Sequence, residues 1–128
     1  MSTSQYQPGV CNIGGPEVKR RKQVAQLGTA VFLALSIYFT VSGAATSSAL
    51  IALLPAMIAS VGYVQSRKKF CFAFGLLGTF NFAELGKLSK VTTKEEIAAD
   101  RKQALIIIGQ SVGLALIATA LLAALLSL

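Results

Sequence analysis

The stretch Ala104–Leu126, ALIIIGQSVGLALIATALLAALL, carries no charge from end to end. As a helix rising about 1.5 Å per residue it is long enough to cross the roughly 30 Å hydrocarbon core of a bilayer, and it is read as a transmembrane span. Just upstream, Thr93-Lys94-Glu95-Glu96 has the Thr-x-x-Glu spacing of a capping box, in which threonine and glutamate satisfy free amides at a helix start. One helix is therefore expected from about Lys94 through the membrane, with a charged foot standing outside it.

Two more apolar stretches lie further out toward the N-terminus. Val24–Ser42, VAQLGTAVFLALSIYFTVS, is uncharged throughout and also of spanning length. A small polar turn, Gly43–Ser48, leads into a second uncharged segment, Ala49–Tyr63, which stops just before Gln65-Ser66-Arg67-Lys68-Lys69. Two spans joined so briefly must run antiparallel. Composition agrees, with 13% charged residues and 54% hydrophobic, where a soluble domain carries about 25% charged. The expected fold is an all-α membrane protein of three transmembrane helices, the first two a hairpin. Its divisions are an irregular tail over 1–15, the hairpin over 16–64, a basic loop over 65–103 and the third span over 104–128. Gly15-Pro16-Glu17 marks the first helix start, because proline suits the first turn and an acid there complements the helix dipole. The stretch from Met1 to Gln23 holds no apolar run, so neither a cleavable signal peptide nor a lipoprotein site at Cys11 is expected.

Charge gives a sidedness. Lys19, Arg20, Arg21 and Lys22 precede the first span, and Arg67, Lys68, Lys69, Lys87, Lys90, Lys94, Arg101 and Lys102 separate the second from the third. The turn at Gly43–Ser48 and the C-terminal end have no basic residue. By the positive-inside rule the N-terminus and the basic loop are cytoplasmic and the C-terminus lies outside, in an inner (cytoplasmic) membrane. The two clusters Lys19–Lys22 and Arg67–Lys69 then face an anionic leaflet, each residue gaining about 1 kcal/mol there. A nucleic-acid partner is excluded, because no soluble domain is left to present a reading surface.

Within the basic loop lies Phe70–Ala83, FCFAFGLLGTFNFA, uncharged and holding Phe70, Phe72, Phe74, Phe80 and Phe82. It is too short for a comfortable span and suits an interfacial or re-entrant segment. Gly75 and Gly78 are expected to interrupt any regular helix. The alternative is a four-span protein with both ends inside, in which a crossing here carries Lys87, Lys90, Lys94, Arg101 and Lys102 outside, against the charge rule.

Small residues mark helix contacts. Gly109 and Gly113 form a G-x-x-x-G pair on the third span, and Ser48, Ala52, Ala56 and Ser60 recur at every fourth position on the second; such stripes let backbones approach closely. Pro55 is expected to kink the second helix near Ile51. Gln26 and Gln110 are uncharged polar groups at membrane depth, suited to inter-helix hydrogen bonds.

The chain has no His, no Trp and two cysteines. Acid–base catalysis inside the spans has no group to work with, and two thiols cannot complete a four-ligand site in one chain. No enzyme activity, metal or cofactor is expected. Cys11 and Cys71 fall on the reducing side and are expected to pack where Cys11–Pro16 meets the Phe-rich segment. The segments Cys11-Asn12-Ile13-Gly14-Gly15-Pro16-Glu17 and Phe70-Cys71 through Phe74-Gly75 to Phe80-Asn81-Phe82 resemble those of a group of small bacterial membrane proteins to which no activity is assigned. That resemblance implies that the tail and the Phe-rich segment form one joint feature. The function expected is a non-catalytic accessory subunit of a larger membrane complex, with lipids and larger integral subunits as partners and a respiratory or photosynthetic electron-transfer assembly as its setting. The alternatives are a homo-oligomeric channel or transporter lined by Gln110, Ser111 and Thr119, and a thiol redox or metal sensor using Cys11 and Cys71.

Overall fold

The computed structural model describes residues 6–128; the start of the expected tail, before Tyr6, lies outside the described residues. In chain order the elements are α1 (Gly15–Ser42), a 3-10 turn (Thr46–Ser48), α2 (Ala49–Lys68), α3 (Phe72–Leu77), β1 (Thr79–Phe80), β2 (Ser89–Lys90) and α4 (Lys94–Leu126). Three of the helices are long and apolar enough to cross a membrane: α1, α2 together with its 3-10 turn, and α4.

α2 is the middle helix. It packs along both α1 and α4, while α1 and α4 barely meet. Against α1 the approach is backbone to backbone. A Cβ at Gly28 would stand 2.6 Å from the Ala59 nitrogen, and one at Gly62 would stand 2.8 Å from both the Ala25 nitrogen and the Arg21 carbonyl. Gly28 opposes Ala59 while Gly62 opposes Ala25, so the two helices run in opposite directions. At the far end Phe39 packs with Ala49, Ala52 and Leu122.

Against α4, helix α2 turns the buried Ala52, Ala56 and Ser60. The Ser60 hydroxyl donates to the Ser111 carbonyl at 2.9 Å. The buried residues of α4 are Asp100, Ala104, Ile107, Ser111, Ala115, Thr119 and Leu122, at intervals of three and four that fall on one helix face. Large apolar side chains on the other faces, among them Leu27, Ile37, Val41, Leu50, Leu105 and Leu121, are exposed. That inverts the soluble pattern and suits a lipid surround, where small residues make the helix contacts. Pro55 lies inside α2 and is buried.

Local chemistry explains the element ends. α1 stops at Gly43, which takes φ +69 and returns its N–H to the Thr40 and Phe39 carbonyls; the left-handed conformation there suits a residue without Cβ. α4 begins at Thr93, whose Oγ1 accepts the Glu96 N–H at 3.2 Å and donates to the Glu96 carboxylate at 2.9 Å, so the threonine half of the capping box is formed and the carboxylate holds the capping hydroxyl.

The expectation that Gly75 interrupts regular helix is corrected. α3 runs straight through Gly75, which is glycine because a Cβ there would lie 2.7 Å from the Phe70 ring and 2.9 Å from the Asp100 carbonyl. Gly78, at φ +72, ends the helix.

Candidate functional site

The polar residues gather at one end of the helices, where the tail, the Phe-rich segment and the foot of α4 meet. Lys69, which follows α2, adopts φ +53, a left-handed conformation that residues other than glycine rarely take. Its carbonyl thereby accepts two tail amides, from Asn12 at 3.1 Å and Ile13 at 3.3 Å. The Asn12 side chain then behaves like an extra strand residue: its Nδ2 donates to the Cys71 carbonyl at 3.1 Å, and its Oδ1 accepts the Cys71 N–H at 2.7 Å.

Asn81 does similar work from the other side. Its backbone N–H donates to the Asn12 carbonyl at 2.9 Å, and its carbonyl accepts the Gly14 N–H at 2.8 Å. Its side chain donates to Glu17 at 3.1 Å and to the Glu84 carbonyl at 2.8 Å, and accepts the Ala83 N–H at 2.9 Å. Glu17 completes the chain with an ion pair to Arg21 at 2.8 Å. Asn12, Asn81 and Glu17 are all buried, which is tolerable because each of these side chains finds a partner. Together the bonds clamp the start of α1 to the end of α2 and to the Phe-rich segment.

A second lock holds the tail to α4. Asp100, 0% exposed, accepts the Tyr6 hydroxyl at 2.6 Å and the Gly9 N–H at 2.7 Å. The Tyr6 ring stacks on Phe80 with centroids 4.6 Å apart. Burial pushes the Asp100 carboxyl above its ordinary value, with Glu96 adding in the same direction and the bonds from Tyr6 and Gly9 opposing. Burial likewise raises the Tyr6 phenol, helped by its bond to Asp100 and the nearby negative charge.

Beside this network lies a cavity of about 490 Å³ lined by Cys11, Ile13, Lys19, Lys22, Lys69 and Phe82 among others. Lysines from α1 and from the end of α2 border it. A larger cleft of about 720 Å³ opens higher up between α1 and α4, floored by α2 and lined by residues that include Gln26, Leu33, Ala59, Tyr63, Leu114 and Ala118.

Comparison with protein-family models, curated proteins and solved structures gives no match.

The residues singled out from sequence divide as follows. Ala52, Ala56 and Ser60 are buried inside the chain and Ser48 is half-buried, whereas Gly109 and Gly113 have nothing within 4 Å of a Cβ position. Phe70 and Phe80 are buried, and Phe72, Phe74 and Phe82 are partly covered. The exposed apolar tip of the segment is instead Leu76 and Leu77, because Phe70 is drawn into a cluster with Val64, Ala104 and Ile107 and Phe80 stacks on Tyr6. Among the basic residues, Arg20, Lys22 and Arg67 are exposed, Lys19 and Lys69 are exposed at the rim of the cavity, and Lys68 is half-covered. Arg21 is held by Glu17 and lies 5.9 Å over the Phe74 ring. Cys11 and Cys71 are free thiols. Burial pushes the Cys11 thiol up, and the Ile13 hydrogen bond and Lys69 offset this only in part, which disfavours the thiolate.

Asn12, Asn81, Glu17, Tyr6 and Asp100 carry the network, and sequence reasoning does not pick them out as site residues. Asp100 is accessible to pattern: it precedes Ala104, Ile107 and Ser111 on the same helix face, and an acid on a buried stripe demands partners. The two asparagines give no such signal, since their partners include backbone groups distant in sequence.

Proposed function

We propose that this chain is a non-catalytic accessory subunit of a larger integral membrane complex. In this reading α1 and α2 cross the membrane as a hairpin and α4 crosses as the third span. The polar network and the basic loop face the cytoplasm, and the Phe-rich segment sits at the inner interface with Leu76 and Leu77 toward lipid. The supporting observation is the use of α4. Its buried stripe, from Ala104 to Leu122, is taken up by α2. Gly109 and Gly113 lie off that stripe with open space beyond them, and Ala120 and Ala124 add small, exposed residues further along the helix. A bare stripe of this kind lets a second transmembrane helix approach to backbone distance.

The channel reading is weakened by geometry. Ser111 and Thr119 are buried on the stripe facing α2, while Gln110 is exposed on another face, so the three do not line one path. The thiol-sensor reading is weakened by the raised Cys11 thiol and the burial of Cys71.

The deciding experiment is mild-detergent extraction from native membranes, affinity isolation on a C-terminal tag and mass spectrometry of what accompanies the chain. Stoichiometric larger subunits, lost in a Gly109→Leu/Gly113→Leu variant, are the expected result and would name the process, an electron-transfer assembly included. A homo-oligomer free of other subunits would sink the proposal.

A further inference from the structure

The cavity beside Cys11 and the cleft above it lie on one line. Lys19 and Lys22 border the cavity; Gln26, Ala30 and Leu33 border the cleft. Along α1 these residues follow intervals of three and four, so they share one helix face. Lys22 and Gln26 are one turn apart, about 6 Å along the axis. The basic cavity therefore lies one turn below the apolar cleft along the same face of α1, and the cleft is left open because α1 and α4 barely meet.

The charge in the cavity is unbalanced. Lys19, Lys22 and Lys69 border it, and among the described residues the ion pair is Arg21 with Glu17. Glu17 is occupied by Arg21 and Asn81. The three lysines border one concave space with no ion-pair partner among the described residues, so the field there favours an anion. Lys69 is also held at φ +53, a conformation glycine would take without strain, and strained positions persist where the surroundings enforce them.

A free anion would account for the lysines and leave the cleft unexplained. An amphiphile accounts for both, with a phosphate at the depth of the basic residues and a chain at hydrocarbon depth. The cleft, at about 720 Å³, is within the range of small-molecule sites. We propose that the chain holds one anionic phospholipid as a resident ligand, its phosphate among Lys19, Lys22 and Lys69 and one acyl chain in the cleft between α1 and α4. The site is complete within one chain and does not depend on the accessory-subunit reading.

The test uses the full chain, purified in detergent and stripped of lipid, with native mass spectrometry as the readout and phosphatidylglycerol, phosphatidylcholine and inorganic phosphate as probes. One phosphatidylglycerol per chain is expected, bound at least tenfold more tightly than phosphatidylcholine. The combined change Lys19→Gln, Lys22→Gln and Lys69→Gly removes that preference, the last step leaving the α2 cap with its favoured residue. Lys87→Gln, Lys90→Gln and Lys102→Gln together lower net charge equally and leave binding within twofold. Ala30→Trp, which fills the cleft with every lysine in place, weakens phosphatidylglycerol severalfold. An equal loss in both lysine triples would reduce the site to diffuse attraction and overturn the proposal. Displacement of the lipid by equimolar inorganic phosphate, or unchanged binding in Ala30→Trp, would also overturn it by showing that the cleft takes no chain.

Discussion

Two sets of glycines face opposite fates in this molecule. Gly28 and Gly62 sit on different helices with the partner backbone pressed against them, at hypothetical Cβ distances of 2.6 and 2.8 Å. Gly109 and Gly113 sit one turn apart on a single helix with nothing within 4 Å. The tidy motif is the unused one, and the pair that seals the internal interface has no motif at all. A spacing rule examines one helix at a time, whereas close packing is a property of two surfaces. Small residues in a membrane helix therefore announce that an approach is possible, and only the facing helix decides whether it is made inside the chain or outside it.

The sharpest way to break the contrast is to add bulk on the closed side. Gly28→Leu or Gly62→Leu places carbon atoms where backbone atoms already stand, and neither neighbour can swing aside as a flexible side chain would. Overpacking of this kind costs about 3 kcal/mol, and here the helices must separate to relieve it. The expected outcome is a strongly lowered melting temperature in detergent. A wild-type melting curve for both variants would mean that α1 and α2 are not in backbone contact.

Next in size is the clamp at the polar end. Asn12→Ala leaves the Cys71 N–H unpaired in a buried position and takes one of two donors from the Cys71 carbonyl, which keeps the Gly75 N–H; an unmet buried polar group costs about 1–3 kcal/mol. Asn12→Asp separates the two bonds, because a carboxylate still accepts from the Cys71 N–H but has nothing to donate to its carbonyl. Hydrogen exchange at Cys71 and Asn81 should accelerate in both variants, more in alanine than in aspartate. Slow exchange retained in Asn12→Ala would show that the tail is held by something else.

These two interfaces also divide what the sequence could and could not disclose. The three long apolar helices follow from runs without charge, and the α4 start follows from Thr93 and Glu96, because both signals are local. The Asn12 side chain pairs with backbone 59 residues away, and Asn81 joins loop to tail, so nothing in the spacing of nearby residues encodes either bond. The Phe-rich segment stands between these extremes. Its apolarity is plain, but Phe70 is spent in an apolar cluster with Val64, Ala104 and Ile107, Phe80 stacks on Tyr6, and the exposed tip falls to Leu76 and Leu77. Gly75 reads as a breaker and is in fact a contact, since a lone glycine has the same letter whether it loosens a helix or admits a ring.

A smaller effect concerns the lock between tail and α4. Burial raises the Asp100 carboxyl above its ordinary 3.8, so the unfolded chain loses this proton first as pH rises. Stability contributed by this group falls as pH climbs from about 4 through the raised value and levels off above it. Asp100→Asn removes that slope while keeping an acceptor for Gly9. The Tyr6 phenol, raised above its ordinary 10.0, gives a second decline on the alkaline side, which Tyr6→Phe abolishes. Melting temperatures from mildly acidic to neutral pH, and again in the alkaline range where a free phenol ionises, check both signs. A pH slope unchanged in Asp100→Asn would assign it to another carboxyl.

The smallest effect on the chain itself is expected on the open side. Gly109→Ala and Gly113→Ala add a methyl group to empty space, and in a helix interior alanine is favoured over glycine by up to about 1 kcal/mol. The isolated chain should therefore melt at the same temperature or slightly higher, the reverse of the change at Gly28 or Gly62. Recovery of partner subunits gives the second axis: leucine at Gly109 and Gly113 should abolish it and alanine should weaken it, because helix approach depends on how far the Cα atoms are kept apart. A fall in the isolated chain's melting temperature would place a neighbour within the chain against this face and end the contrast between the two pairs. Unchanged stability together with lost partners would make the bare stripe the outward counterpart of the Gly28 and Gly62 interface, built from the same residue for the same reason.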